Sequence, residues 1–251
     1  MLALDCHAHV APHISETELE SLASCVVAVT RSLQEYAGVA QRRDRATTWG
    51  VGVHPSVPGA HTEFDADRFR SLLARAAVVG EIGLDGRSRI QMEVQEVTFA
   101  AILECLTEVP RIASVHSVAA TARVLEAIGG RSLPGVVLHW WRGSEAETRQ
   151  ALELGCYFSL NAGEAASPKV IHLLPRDRVL TETDHPFGDR KQRPPRRPGR
   201  VSGIEIALAE QWATDVTNVR RQVWQNFRRL ATETRTIDLL PPAFQRTMLG
   251  V

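Results

Sequence analysis

Asp5, His7 and His9 occupy alternate positions in the short apolar run that opens the chain. Side chains on a strand alternate between faces, so all three are expected on one side. Two imidazoles so placed can chelate one cation, with Asp5 orienting one ring from behind. A His-x-His pair alone is weak evidence, but donors of the same kind recur. Glu81 stands in Gly80-Glu81-Ile82-Gly83-Leu84-Asp85, His116 in Val115-His116-Ser117, His139 in Val136-Val137-Leu138-His139, and Asp184 in Thr181-Glu182-Thr183-Asp184. Each follows a Val/Ile/Leu-rich run. One histidine after a strand is usually a structural residue; four histidines, a glutamate and an aspartate at five strand ends read as a ligand set. Nitrogen and carboxylate donors suit two divalent ions drawn from Zn²⁺, Mn²⁺ or Mg²⁺.

Other residues suit an anionic, base-bearing substrate. His54, before Pro55, reads either as a phosphate or leaving-group contact or as a structural turn histidine. Trp140 and Trp141 follow a ligand position directly. Alternation lets only one of them face the mouth, where it could stack on a base, with Trp140 as the candidate; the other is expected in the core, which is also the ordinary reading of both. Residues 190–200 hold six cations and no acid. Such a run is usually just solvated, but it follows the last ligand, so Arg190 and Arg193 are expected to touch phosphates on the catalytic face. A partner protein could equally dock there.

These residues need a scaffold that brings successive strand ends together. Strand candidates are Leu2–His9, Cys25–Thr30, Thr48–His54, Ala77–Gly83, Arg111–His116, Val136–His139, Cys156–Leu160 and Val179–Asp184. Their continuous apolar character is that of strands covered on both faces. Helical segments lie between them. Phe69, Leu72, Leu73 and Ala76 form one face of Asp65–Ala76, and Val219, Val223, Phe227 and Leu230 form a stripe in Thr217–Leu230. Ser15 with Glu18 and Ser144 with Glu147 fit capping boxes, and Ser167-Pro168 fits a cap followed by proline. Eight such units in an α/β chain predict a single (β/α)8 TIM barrel spanning residues 1–251, with its chemistry at the C-terminal ends of the strands. A doubly wound sheet would instead open with a Gly-rich turn, where this chain has His-Ala-His.

Composition narrows the class further. Lys plus Arg and Asp plus Glu both number 29, so bulk charge does not mark a nucleic-acid binder and any polyanion site must be local. No apolar run is long enough to span a membrane. Met1 to His7 hold no basic stretch and no long apolar stretch, so no secretory leader is expected, and Cys6, Cys25, Cys105 and Cys156 form no Cys-x-x-Cys pair. They read as reduced, buried residues of a cytoplasmic protein.

From Asp5 to about Leu230 the chain resembles the TatD family of metal-dependent nucleases in the amidohydrolase superfamily. The motifs are Asp5-Cys6-His7-Ala8-His9, Gly52-Val53-His54-Pro55, Gly80 to Asp85, Val115-His116-Ser117, His139-Trp140-Trp141-Arg142-Gly143-Ser144 and Thr181-Glu182-Thr183-Asp184. Gly83-Leu84-Asp85-Gly86, His139-Trp140 and Leu154-Gly155-Cys156-Tyr157-Phe158-Ser159 look most like the TatD-type component of the Qat anti-phage defence system. That resemblance implies an ATPase and a QueC-like protein as system neighbours.

The family resemblance implies 3′–5′ nuclease action on single-stranded DNA, with RNA as an alternative. It implies His7, His9 and Asp184 on one metal, His116 and His139 on the second, and Glu81 between them. His185-Pro186-Phe187 and Val118 depart from the family pattern, which touches substrate choice and leaves the ligands intact. Asp184 and Glu81 are then the catalytic pair, Asp184 accepting the proton of an attacking water. Two other readings stay open: a small-molecule ester or amide hydrolase, and a binding subunit of a defence complex.

Overall fold

The computed structural model describes residues 1–163, 168–190 and 196–251. The strands are β1 (Ala3–His9), β2 (Ser24–Val29), β3 (Thr47–Gly50), β4 (Val78–Gly83), β5 (Ile112–His116), β6 (Val136–Leu138), β7 (Tyr157–Leu160) and β8 (Val179–Thr181). The helices are α1 (Glu16–Ser21), α2 (Leu33–Val39), α3 (Pro58–Thr62), α4 (Ala66–Leu73), α5 (Met92–Glu108), α6 (Thr121–Gly129), α7 (Glu145–Glu153), α8 (Pro168–Leu173), α9 (Ser202–Gln211), α10 (Val216–Glu233) and α11 (Pro242–Leu249).

Every paired strand is parallel to its neighbour. The ladders run β1-β2-β3 and β4-β5-β6-β7-β8. Two irregular seams join them into the (β/α)8 barrel. At the first, Val51 bridges to Val79, and Thr30 takes the place that the short β3 leaves. Its N–H donates to Gly80 O (3.0 Å) and its carbonyl accepts from Glu81 N (2.9 Å). At the second, Asp184 N donates to His7 O (2.9 Å), His9 N to His185 O (2.8 Å) and the Thr181 hydroxyl to Leu4 O (2.6 Å).

The strands are buried almost throughout, as their apolar runs predict. The amphipathic stripes hold as well. Phe69 and Leu73 of α4 and Val219, Val223, Phe227 and Leu230 of α10 are buried. Both capping boxes form, at Ser15 with Glu18 and Ser144 with Glu147. Ser167 lies outside the described residues. All four cysteines are buried and free.

α10 does more than cover one strand. Trp224 Nε1 donates to Leu2 O, and Asn226 Nδ2 donates to Arg176 O and Val179 O, each at 2.8 Å. Thr234, just past its end, lies against Gly135, where a Cβ would meet the threonine methyl at 2.4 Å. The helix thus passes beneath the first residues of β1, β8 and β6 and floors the barrel. Trp224, Phe227 and Phe244 close that floor in mutual ring contact at 5.7–5.8 Å. Among the described residues, no helix is long and apolar enough to cross a membrane.

Candidate metal centre

At the other end the strands deliver their polar residues to one point. His7 and His9 come from β1, Glu81 from β4 and His116 from the end of β5. His139 follows β6 by one residue and Asp184 follows β8 by three. Trp140 and Asp184 both adopt left-handed backbone conformations, with φ of 44° and 42°, which turn the chain sharply as it leaves the barrel.

Glu81 is the hub, and its two oxygens face different partners. Oε2 lies 3.1 Å from His9 Nε2, 3.4 Å from His54 Nε2 and 3.6 Å from His7 Nε2. Oε1 lies 2.6 Å from His116 Nδ1 and 3.0 Å from His139 Nε2. Asp184 Oδ1 completes the first group, 3.6 Å from the Nε2 atoms of both His7 and His9.

Three of these atoms point inward with no hydrogen-bond partner among the described residues: His7 Nε2, Glu81 Oε2 and Asp184 Oδ1. Buried polar atoms are normally satisfied. Spacings near 3.6 Å are too long for hydrogen bonds but suit donors surrounding a cation with ligand distances of about 2.0–2.2 Å. His7, His9 and Glu81, His7, His139 and Asp184, and His54, Glu81 and His116 each form a cluster able to hold an ion. The donor set therefore fits metal binding.

The electrostatics agree. Burial, with His139 adding to it, depresses the His7 imidazole to about 4, so its lone pair is available at neutral pH. Burial opposes the charge on Glu81, yet His54, His139 and His116 hold it well below the usual carboxylate range. Burial, countered by His139 and reinforced by Glu182, Glu81 and Asp5, drives Asp184 well above that range. A cation between these carboxylates would favour the ionised form of both.

Around this hub sit residues that the sequence did not single out. Ser114 Oγ lies 2.7 Å from His7 Nδ1, fixing the outer side of that ring. Gly80 allows the approach, since a Cβ there would sit 2.9 Å from Ser114 Cβ. Asp85 faces His116 Nε2 at 3.4 Å and accepts from Ser56 Oγ at 2.8 Å. Glu182, bonded by the Ser159 hydroxyl and by Asn161 Nδ2, faces His139 Nδ1 at 3.8 Å. Acids inside apolar strand-end motifs were the available signal for Asp85 and Glu182. Ser114 carried none.

Asp5 departs from expectation. The β1-β2 register shifts between Asp5 and Ala8, which breaks the strict alternation. Its carboxylate accepts from Thr183 N (2.8 Å), Thr183 Oγ1 (2.6 Å) and Gly199 N (2.7 Å) instead of from an imidazole. Asp5 therefore ties β1 to the segment carrying Asp184, and burial pushes it up to about 7.

His54 stands beyond the strand end, because β3 stops at Gly50. Its ring still reaches Glu81, while its Nδ1 accepts from Ser56 N at 3.0 Å. His54, Trp140 and Arg190 line a cavity of about 670 Å³ that opens from the centre. Trp141 is buried, donates to Thr148 Oγ1 (3.0 Å) and packs on Phe158, so only one of the two tryptophans faces the cavity, as expected.

The basic run does not stay at the mouth. Arg193 lies outside the described residues. Arg197 and Arg200 line a hollow with Met1, Leu2 and Ser24 at the N-terminal ends of the strands, because Gly199 is drawn down onto Asp5 and Ser24. Of the described cations in this run, Arg190 lines the site cavity, whereas Arg197 and Arg200 do not.

The model of the TatD related DNase family matches residues 4–232. The chain belongs to this family. Among its TatD relatives, the 3′-5′ ssDNA/RNA exonuclease TatD of Cronobacter sakazakii is 32% identical over 148 residues, covering 55% of this chain and 56% of that protein. The metal-dependent hydrolase YabD of Bacillus subtilis is 30% identical over 147 residues, 55% of this chain and 58% of its own length. The matched stretch thus spans little more than half of these curated relatives. The crystal structure of the TatD homolog YjjV from Escherichia coli superposes with a TM-score of 0.80 at 21% identity, covering 91% of this chain and 97% of that one. This likeness supports the barrel fold.

Proposed function

We propose that this TatD-family chain is a two-metal phosphodiesterase that removes nucleotides from the 3′ end of single-stranded DNA, the whole of residues 1–251 acting as one catalytic unit. The observation that carries the reading is the convergence of unpaired buried donors around Glu81, whose oxygens face two separate histidine groups. His7, His9 and Asp184 would hold one ion, His116 and His139 the other, with Glu81 shared. Divalent ions at such a site neutralise phosphate charge and acidify water.

The chain's own residues supply the rest. Asp184 Oδ1, 3.6 Å from the Nε2 atoms of His7 and His9, takes the proton of the attacking water and becomes neutral, the form that its burial favours. His54 falls within a possible ion cluster, but its Nδ1 lone pair is used by Ser56 N–H, so the proton of the neutral ring rests on Nε2. Nε2–H is then a donor aimed into the centre. His54 binds a phosphate oxygen or the leaving oxygen and is no ligand.

Metal-stripped protein would be incubated with 5′-labelled single-stranded DNA and Mg²⁺, Mn²⁺ or Zn²⁺. Metal-dependent laddering from the 3′ end, absent in Glu81→Ala, is expected. Asp184→Asn is expected to lower turnover by about 10²–10⁴-fold while leaving DNA affinity within a few-fold. Equal losses of turnover and affinity would remove the proton role, and absence of any cleavage would remove the nuclease reading.

The finer reading, a cytoplasmic role in Qat anti-phage defence beside an ATPase and a QueC-like protein, is supported by the three sequence features quoted for it and, for the compartment, by four buried free cysteines. Co-purification with those two proteins is its test.

A further inference from the structure

The cavity above the centre has two unlike sides. On the His9 side stands Phe187, 45% exposed despite its apolar ring. It meets the His9 ring at 5.5 Å and carries the Arg190 guanidinium at 5.1 Å from its centroid. The His54 ring lies between, 6.2 Å from His9 and 5.6 Å from His116. On the His116 side, the chain after Asp85 turns back with Arg87 N donating to Asp85 Oδ1 at 2.8 Å. Arg87 is exposed and lines the same cavity.

An exposed aromatic ring costs burial energy that the fold does not recover, yet it offers a face to a planar ligand. A cation on an exposed loop lining the same cavity as the metal centre offers a second positive charge to a polyanion. A strand threading this cavity has one chemical group for each: a flat base and the next phosphate.

We propose that Phe187 stacks on the base adjoining the scissile phosphate, and that Arg87 holds the next phosphate along the strand. The proposal rests on the phosphodiesterase reading and adds two binding residues to it. Substrate affinity then comes from both sides of the cavity, and selection from one. Phe187 selects for a base at the terminal position, whereas Arg87 contributes sequence-blind, salt-sensitive affinity.

Binding can be read without turnover. Metal-loaded protein would be titrated, by fluorescence anisotropy, with oligonucleotides whose terminal linkages are phosphorothioate and whose 3′ residue carries a base or a base-free tetrahydrofuran. The wild-type protein is expected to prefer the base by about ten-fold. Phe187→Ala is expected to bring that ratio close to one, and Phe187→Trp to restore it. Arg87→Ala is expected to make the slope of log affinity against log salt shallower by about 0.7, with Arg87→Lys recovering it. An unchanged base ratio in Phe187→Ala together with an unchanged slope in Arg87→Ala overturns the proposal. Cleavage of unmodified oligonucleotides is scored separately: base-selective, salt-sensitive binding without cleavage would support these contacts while removing the nuclease reading.

Discussion

At the residue scale, the nitrogen that His7 and His116 each turn inward is decided by what holds the ring from outside. His7 meets Ser114 through Nδ1, which leaves Nε2 for the centre, whereas His116 turns Nε2 toward Asp85 and presents Nδ1. Groups that fix a ligand's tautomer and tilt contribute to metal affinity without touching the metal. Ser114→Ala is therefore expected to weaken metal binding by about 10–100-fold while leaving the melting temperature of the metal-free protein nearly unchanged. Metal titration and thermal melting of the apo protein check the two halves separately. A loss of apo stability with unchanged metal affinity would make Ser114 a packing residue only.

At the element scale, the two carboxylates at the heart of the site both sit on barrel seams. Glu81 is clasped at the first, its N–H on Thr30 O and its carbonyl accepting from Val53 N, each at 2.9 Å. Gly52 permits that clasp: a Cβ there would lie 1.7 Å from Thr30 O and 2.8 Å from Glu81 N, both backbone atoms that cannot swing aside. Gly52→Ala is expected to cost about 3 kcal/mol, the upper end of the typical range for overpacked cores, and to lower metal occupancy with it. Chemical denaturation and metal analysis of the folded fraction measure both. Ser144→Ala, far from any seam, removes only the α7 cap. About 1 kcal/mol, or a melting shift of about 2–4 °C, is expected, with metal content unchanged.

At the scale of the whole molecule, the barrel is closed at one end by aromatic packing and at the other by a set of charges that repel or go unpaired. The floor under β1, β8 and β6 supplies stability. Trp224→Ala is expected to cost about 3–5 kcal/mol while the surviving folded protein keeps its metal. The mouth spends stability on function, and bound metal returns part of it. Saturating the protein with metal at about 100 times its dissociation constant is expected to stabilise it by about 2.7 kcal/mol over the chelator-treated form. A melting temperature indifferent to chelator would contradict a centre built to hold ions.

The order and placement of the strands, the helix stripes, two capping boxes and the six converging residues were legible in the sequence, because each depends on local periodicity or on a residue type following an apolar run. Three features were decided by the tertiary structure alone. Asp5 reads as an imidazole partner until the β1 bulge turns it toward Thr183. The cations of residues 190–200 read as one patch until Asp5 and Ser24 draw Gly199 to the far end of the barrel. Ser114 reads as nothing in particular until β5 meets β1 across the interior. Local sequence sets what each segment is and which face it hides; which groups meet across the barrel depends on register and seams, which arise only when all the strands pack together.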